Sequence, residues 1–243
     1  MLYIVIREFK PQDLPNISDI VRNAYISNIF NSWLNVVLSE ITFQLITLVS
    51  AYMFIFMNVP LLYCIFSVPI VFTVLYVVIY GSVLIKSAEL INTKKPLQCW
   101  VAEVVEPIFS TNVNHLEYKI VSETEFNEAA VDIKKMKRRL VGTIAVMRHA
   151  KRNDWAWLFR LAVDQRYRKK GIALKLTKTV QEWCKVNRYN NLEVCFTDCQ
   201  EGARQVFAKA GFEVCQMYHQ KLLTSAFTLQ MYLLRYEVRP MFE

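Results

Sequence analysis

Residues 163–176 read VDQRYRKKGIALKL, and the reading of this stretch decides the fold. Arg166, Arg168, Lys169 and Lys170 are fixed cations that end at Gly171, and an apolar, helix-favouring run follows. A glycine ahead of a helix removes the Cβ that would keep an anion from backbone N–H groups. The first helical turn carries unpaired N–H donors and a partial positive charge, so phosphate binds there readily. The cations add a positive field. Taken alone, the pattern fits a solvated loop and helix start as well as an anion cradle, so the flanking sequence must decide.

Upstream, Trp155–Val163 (WAWLFRLAV) has strand composition and runs straight into the loop. Downstream, Ile172, Leu176, Val180, Trp183 and Cys184 share one face of a helix, with Lys175, Lys178, Gln181 and Glu182 on the other. Asn187–Asn191 ends that helix. Leu192–Thr197 (LEVCFT) is the next strand, and Gln200–Ala210 is a short helix stopped by Gly211. Phe227–Val238 supplies one or two closing strands. Nearer the N-terminus, Leu2–Phe9 reads as a strand and Leu14–Tyr25 as a helix. Cys99–Val105 and Leu140–Arg148 follow as strands, with Gly142 a candidate bulge. Glu106–Arg139 reads as a long polar loop whose basic cluster at 134–139 suits a solvated or lipid-facing patch. Strand, glycine loop, helix, strand, helix is an α/β order, and a helix of about sixteen residues permits a parallel crossover.

Between the first helix and second strand, Ile41–Ile85 contains no Asp, Glu, Lys, Arg or His. At about 20 apolar residues per crossing this matches two membrane passages. Asn58-Val59-Pro60, near the middle, is where a helix breaks. The expected division is residues 1–40 as the N-terminal strand and helix, 41–85 as a membrane hairpin (two helices or re-entrant), and 86–243 as the remainder of the same domain. Few soluble domains could cover so long an uncharged stretch. Some forty residues with several charges precede it, unlike a cleaved signal peptide. A sheet cannot continue through a bilayer, so both flanks belong on one side. Lys86, Lys94, Lys95 and the cluster near Lys137 favour the cytosolic side of the endoplasmic reticulum or another internal membrane.

The net charge of +8 suits an anionic partner: nucleic acid, anionic lipid or a phosphorylated cofactor. Cys64, Cys99, Cys184, Cys195, Cys199 and Cys215 form no CxxC pair, so neither a zinc nor a redox motif is indicated and no metal is expected. Cys195 and Cys199, at a strand and its exit, read as buried or half-buried thiols of a reducing compartment.

Arg168-Lys169-Lys170-Gly171-Ile172-Ala173 matches the R/Q-x-x-G-x-G/A signature of the GNAT superfamily of acetyl-CoA-dependent N-acetyltransferases, and it follows a strand ending LAVD, as that signature does. Ala203–Phe212 (ARQVFAKAGF) resembles the A-x-x-L-Y-x-x-x-G-F segment of the same superfamily. With the apolar insertion, the chain resembles the camello-like membrane N-acetyltransferases. The resemblance implies a mixed sheet flanked by helices, with a membrane hairpin between the first helix and second strand. It assigns Arg168, Lys169, Lys170, Gly171, Ile172 and Ala173 to the pyrophosphate of acetyl-CoA, as co-substrate. The backbone of Leu161, Ala162 and Val163 takes the pantetheine arm like an added strand.

Acetyl transfer needs a deprotonated amine, an oxyanion donor and an acid for the leaving thiolate. The superfamily commonly places a tyrosine where this chain has Phe207, which cannot donate a proton. Backbone N–H groups near Ala162 and Val163 could polarise the carbonyl. Candidate bases are Glu103, Glu106, His149 and Asp154, with His115 and His219 in less informative surroundings. Arg160 suits either a substrate carboxylate or the solvent side of an alternating strand. The sequence leaves the amine open among amino acids, conjugates, peptide N-termini and lysine side chains. A catalytically inactive relative serving as a binding or scaffolding module is the alternative. Nucleic-acid binding is disfavoured, because no recognisable motif accompanies the charge.

Overall fold

The computed structural model describes residues 2–92, 95–107, 118–128, 136–221 and 228–238. Among these, β1 (Leu2–Glu8), β2 (Gln98–Pro107), β3 (Tyr118–Ser122), β4 (Met136–Arg148), β5 (Trp155–Val163), β6 (Asn191–Thr197), β7 (Glu213–Lys221) and β8 (Thr228–Glu237) form one sheet in the order β3-β1-β2-β4-β5-β6-β8-β7. The sheet is mixed: β1–β3 and β5–β6 are parallel, and the other neighbours antiparallel. The α/β order read from the sequence is therefore the observed one.

Strand alternation divides the core. Ile144, Ala156, Leu158 and Val194 pack one sheet face against Leu176 and Val180 of α6 (Ile172–Val186) and Phe207 of α7 (Glu201–Lys209). Leu158 and Leu176 are essentially fully buried, each contributing about 1.5–3 kcal/mol of transfer free energy. On the opposite face, Val101, Leu140 and Ala162 meet Ile17, Ile20 and Val21 of α1 (Leu14–Ile26).

The segment expected to be a long loop holds two elements and lengthens a third. β3 pairs with β1, α5 (Glu123–Glu128) follows it, and β4 begins at Met136 rather than Leu140. Backbone pairing to Val104–Pro107 of β2 carries that extension while its basic side chains stay at the surface, so no apolar pattern announces it. Closing strand β7 lies before the interval expected for it. It is a sheet edge that leaves Val214 and Met217 exposed. The β2–β4 register slips between Ala102↔Gly142 and Glu103↔Leu140, which places a bulge at Val141, beside the expected Gly142.

The insertion comprises α2 (Ile29–Val37), α3 (Glu40–Phe56), a 3-10 stretch at Leu61–Phe66, and α4 (Ser67–Asn92). The break falls at Asn58-Val59-Pro60, where Asn58 has φ +50. Leu61–Asn92 is long and apolar enough to cross a membrane, with a window of mean hydropathy 2.5 of which 28% is buried. The apolar helix continues past Ile85 to Asn92 and brings Leu90 against the sheet beside Cys99, Ala145 and Phe159. Trp33 Nε1 of α2 donates to the Phe72 carbonyl of α4 at 3.2 Å.

Candidate active site

Strands β5 and β6 pair from Trp155↔Asn191 to Leu158↔Val194 and then part, although β5 continues to Val163 and β6 to Thr197. The fork has a local cause. Across β4, Ala145 opposes Phe159 but Thr143 opposes Ala162, so Arg160 and Leu161 together face one residue. Such a bulge bends its strand. Arg160 takes φ +59, a conformation costing about 1–3 kcal/mol for a non-glycine residue. It is also buried, and its Nη2 donates to the carbonyls of Leu90 (2.7 Å) and Ile91 (3.3 Å) near the end of α4. The guanidinium thus serves two helix-end carbonyls, a use outside both readings of Arg160 from the sequence, and it does not lie on a solvent face.

Past Val163 the chain makes a tight turn. Asp164 Oδ1 accepts from the Arg166 N–H at 3.1 Å, and Arg166 Nη2 lies 3.1 Å from Asp164 Oδ2. Tyr167 donates to Glu106 Oε1 at 2.8 Å. Burial, with that carboxylate beside it, pushes the phenol up to about 12. Arg168 folds back, with Nε donating to the Val163 carbonyl (3.1 Å) and Nη2 to Ser27 Oγ (3.0 Å). Lys170 Nζ stands 3.7 Å from the Tyr118 ring centroid. Lys169 is exposed at φ +63.

Gly171 then caps α6 at φ +79 without a capping side chain. The N–H groups of Ile172, Ala173 and Leu174 precede the bond from Lys175 N–H to the Gly171 carbonyl (3.0 Å). A Cβ at 171 would meet Ile120 Cδ1 at 3.8 Å, an ordinary contact, so glycine is required by φ and not by crowding. An exposed, uncapped helix start flanked by Lys169 and Lys170 fits a phosphate group. Arg166 and Arg168 are engaged with the protein itself.

The carboxylate and imidazole candidates separate by position. Glu103 is buried on β2, accepting from Arg7 Nε (3.3 Å) and Arg138 Nη1 (3.5 Å). It lines a cleft of about 1000 Å³ between α1, the start of β4 and the Asp164–Arg166 turn, at the same sheet end as the fork. His149 and Asp154 lie at the other end, before β5 begins. His149 Nε2 is 3.4 Å from Glu193 Oε2, and its ring lies 6.0 Å from those of Trp155 and Trp157. Asp154 accepts from Asn190 Nδ2 at 3.0 Å. At about 3.3 Å per residue, the length of β5 separates both from the Gly171 loop by about 25–30 Å, too far for a base in the same reaction. His219 is exposed on the edge strand β7, and His115 lies outside the described residues.

Phe207 is a core residue, 5.8 Å from the Phe196 ring and 5.2 Å from that of Phe212. The sequence offered Cys195 only as a buried or half-buried thiol and gave Tyr218 no role. Cys195 Sγ lies 3.2 Å from Tyr218 Oη at the fork, and because β7 did not read as a strand, nothing local signalled the contact.

Residues 101–212 match the family "Acetyltransferase (GNAT) family". Among solved structures, a candidate phosphinothricin N-acetyltransferase is 11% identical, with 97% of this chain and 99% of that chain covered and a TM-score of 0.51. A GNAT acetyltransferase from Staphylococcus aureus Mu50 is 15% identical over 97% and 99%, at a TM-score of 0.49. A candidate streptothricin acetyltransferase from Bacillus anthracis, solved with acetyl coenzyme A, is 14% identical over 60% and 65%, at 0.41. No curated protein matches. Residues 101–212 thus resemble a GNAT acetyltransferase domain, and the chain shares its fold with the candidate phosphinothricin N-acetyltransferase.

Proposed function

We propose that this chain is a membrane-tethered N-acetyltransferase that moves an acetyl group from acetyl-CoA to a primary amine. One observation carries the reading: the β5–β6 fork and the uncapped, glycine-led start of α6 are joined by a single turn, Asp164–Lys170. In this reading the pyrophosphate rests on the Gly171–Ala173 backbone beside Lys169 and Lys170. Arg168 holds the turn between Val163 and Ser27. The pantetheine arm lies along Leu161–Val163, where β5 has lost its β6 partner, and backbone N–H groups near Ala162 and Val163 face the thioester carbonyl. Glu103 is the proposed base because, unlike His149 and Asp154, it shares the fork's end of the sheet.

Membrane attachment is supported by the exposed apolar hairpin, whose tip residues Phe56, Leu61, Leu62 and Ile65 are 74%, 75%, 79% and 68% exposed. The insertion between α1 and β2 supports the camello-like subtype. The basic residues flanking it support a cytosolic catalytic domain on an internal membrane. The amine class stays open among amino acids, conjugates, peptide N-termini and lysine side chains. Phe207 favours one second reading, an inactive relative that binds without turning over.

Two measurements on detergent-purified protein test the proposal: acetyl-CoA affinity by calorimetry, and coenzyme A release across those four amine classes. Binding with release is expected. Binding without release would favour the inactive relative, and absence of binding would remove both readings.

A further inference from the structure

The departing coenzyme A thiolate needs a proton, and Phe207 has none to give. Phe207 approaches from the α6 side of the sheet, stacked against Phe196. On β6, Cys195 alternates with Val194 and Phe196 and therefore leaves the opposite face, one residue past the last β5–β6 pair. Cys195 stands opposite Leu233 of β8, and Tyr218 of β7 opposite Met231. Leu233 and Met231 are two apart, so all four side chains leave that same face. The Tyr218 side chain therefore crosses β8, which brings its hydroxyl to 3.2 Å from Cys195 Sγ. A phenol from the sheet's outer strand ends where the two central strands part.

We propose that Tyr218 is the proton donor to the departing coenzyme A thiolate, acting at the fork with its hydroxyl positioned by Cys195. The assignment rests on the acetyltransferase reading above. The amine nitrogen attacks the thioester carbonyl carbon, the C–S bond breaks with its electron pair on sulfur, and the Tyr218 O–H proton passes to that sulfur. The phenolate regains a proton from the nitrogen, which sheds one as the amide forms, so the reaction closes with no net proton. Burial and the contact with Cys195 push Tyr218 up to about 12, so the phenol carries its proton at neutral pH.

The test compares two thioesters, acetyl-CoA and S-phenyl thioacetate, with the fastest amine found in the coenzyme A release screen. The aryl thiolate is the better leaving group and departs without an acid. Tyr218→Phe is expected to keep wild-type acetyl-CoA affinity and lose about 100-fold in kcat with acetyl-CoA, but only a few-fold with S-phenyl thioacetate. Cys195→Ser, which keeps a hydrogen-bonding partner, is expected to stay within a few-fold of wild type on both. Tyr218→His restores a donor and is expected to recover part of the loss. If the Phe variant does not fold, Tyr218→Leu, which also lacks a donor, carries the same comparison. Equal losses on both thioesters, or none with acetyl-CoA, would overturn the assignment while leaving the acetyltransferase reading intact. A wild-type protein that turns over neither thioester would overturn both.

Discussion

Arg160 Nη2 lies 2.7 Å from the Leu90 carbonyl oxygen, so the residue that bends β5 also ends the long apolar helix α4. A single side chain thus joins the fork to the apolar insertion, and its two functions can be separated. Arg160→Ala removes charged hydrogen bonds to part-buried helix-end carbonyls and is expected to cost about 2–3 kcal/mol. Arg160→Gly loses the same bonds but relieves φ +59, and should be about 1 kcal/mol more stable than Ala. Thermal unfolding in detergent gives the order; a Gly variant less stable than Ala would show that no backbone strain is stored there.

Gly171 calls for an asparagine control and not an alanine one. At φ +79, Ala is not neutral, because it adds about 1 kcal/mol of backbone strain before any ligand is considered. Asn tolerates this region better and matches Asp in size. The pair Gly171→Asn and Gly171→Asp therefore isolates charge. Like charges at about 4 Å repel by roughly 1–4 kcal/mol across surface dielectrics, so Asp should weaken acetyl-CoA binding about tenfold or more relative to Asn. Equal affinities by calorimetry would mean that no phosphate sits at this helix start.

The loop was legible because every signal in it is local. LAVD ends a strand, the cations and Gly171 follow, and the apolar period of α6 begins at once. Where the sequence misled, a distant contact decided. Alternation along WAWLFRLAV offers Arg160 a solvent face, but the bulge turns it onto carbonyls of residues 90 and 91, seventy positions away. Tyr218 reaches Cys195 only because β8 inserts between β6 and β7, a pairing that no periodicity encodes. His149 looked like a base by intrinsic chemistry, whereas strand direction alone puts it at the wrong end of the sheet.

The buried pair Arg7–Asp13 should set part of the acid sensitivity. Arg7 Nη1 lies 2.7 Å from Asp13 Oδ2, with side-chain exposures of 7% and 10%. The hydrogen bond from Arg7 holds the Asp13 carboxyl below its ordinary 3.8. A depressed carboxyl contributes stability above the unfolded-state value, and that contribution is lost as pH falls through the folded one. Asp13→Asn should cost about 3 kcal/mol at neutral pH, the lower end for breaking a buried pair, because Glu103 still accepts from Arg7 Nε at 3.3 Å. The gap between melting curves of the two proteins should narrow as pH falls from about 7 to about 3, most of the change coming below the ordinary carboxylate value. A gap that stays constant would mean that Asp13 carries no such coupling.

The β1–β2 pairing constrains the insertion between those strands. Tyr3 opposes Val105 and Glu8 opposes Trp100 in a continuous antiparallel ladder, so residues before and after the apolar segment share one sheet. Backbone at membrane depth must be satisfied within helices or a closed barrel, and an open sheet cannot straddle a bilayer. If the insertion enters a bilayer, as proposed above, it must therefore leave on the side it entered. At 1.5 Å per residue, the 17 residues of α3 extend about 26 Å against a hydrocarbon core of about 30 Å, so the Asn58 turn should stop just short of the far interface. In sealed vesicles carrying the protein with both ends tagged, protease added outside should remove both tags or neither, and from the cytosolic side both. An Asn58→Cys variant should gain no labelling by an impermeant maleimide from either side over the wild-type cysteines. Labelling from the far side would show a full double crossing and leave the same-side argument standing. One tag protected while the other is digested would contradict the ladder between Tyr3 and Val105.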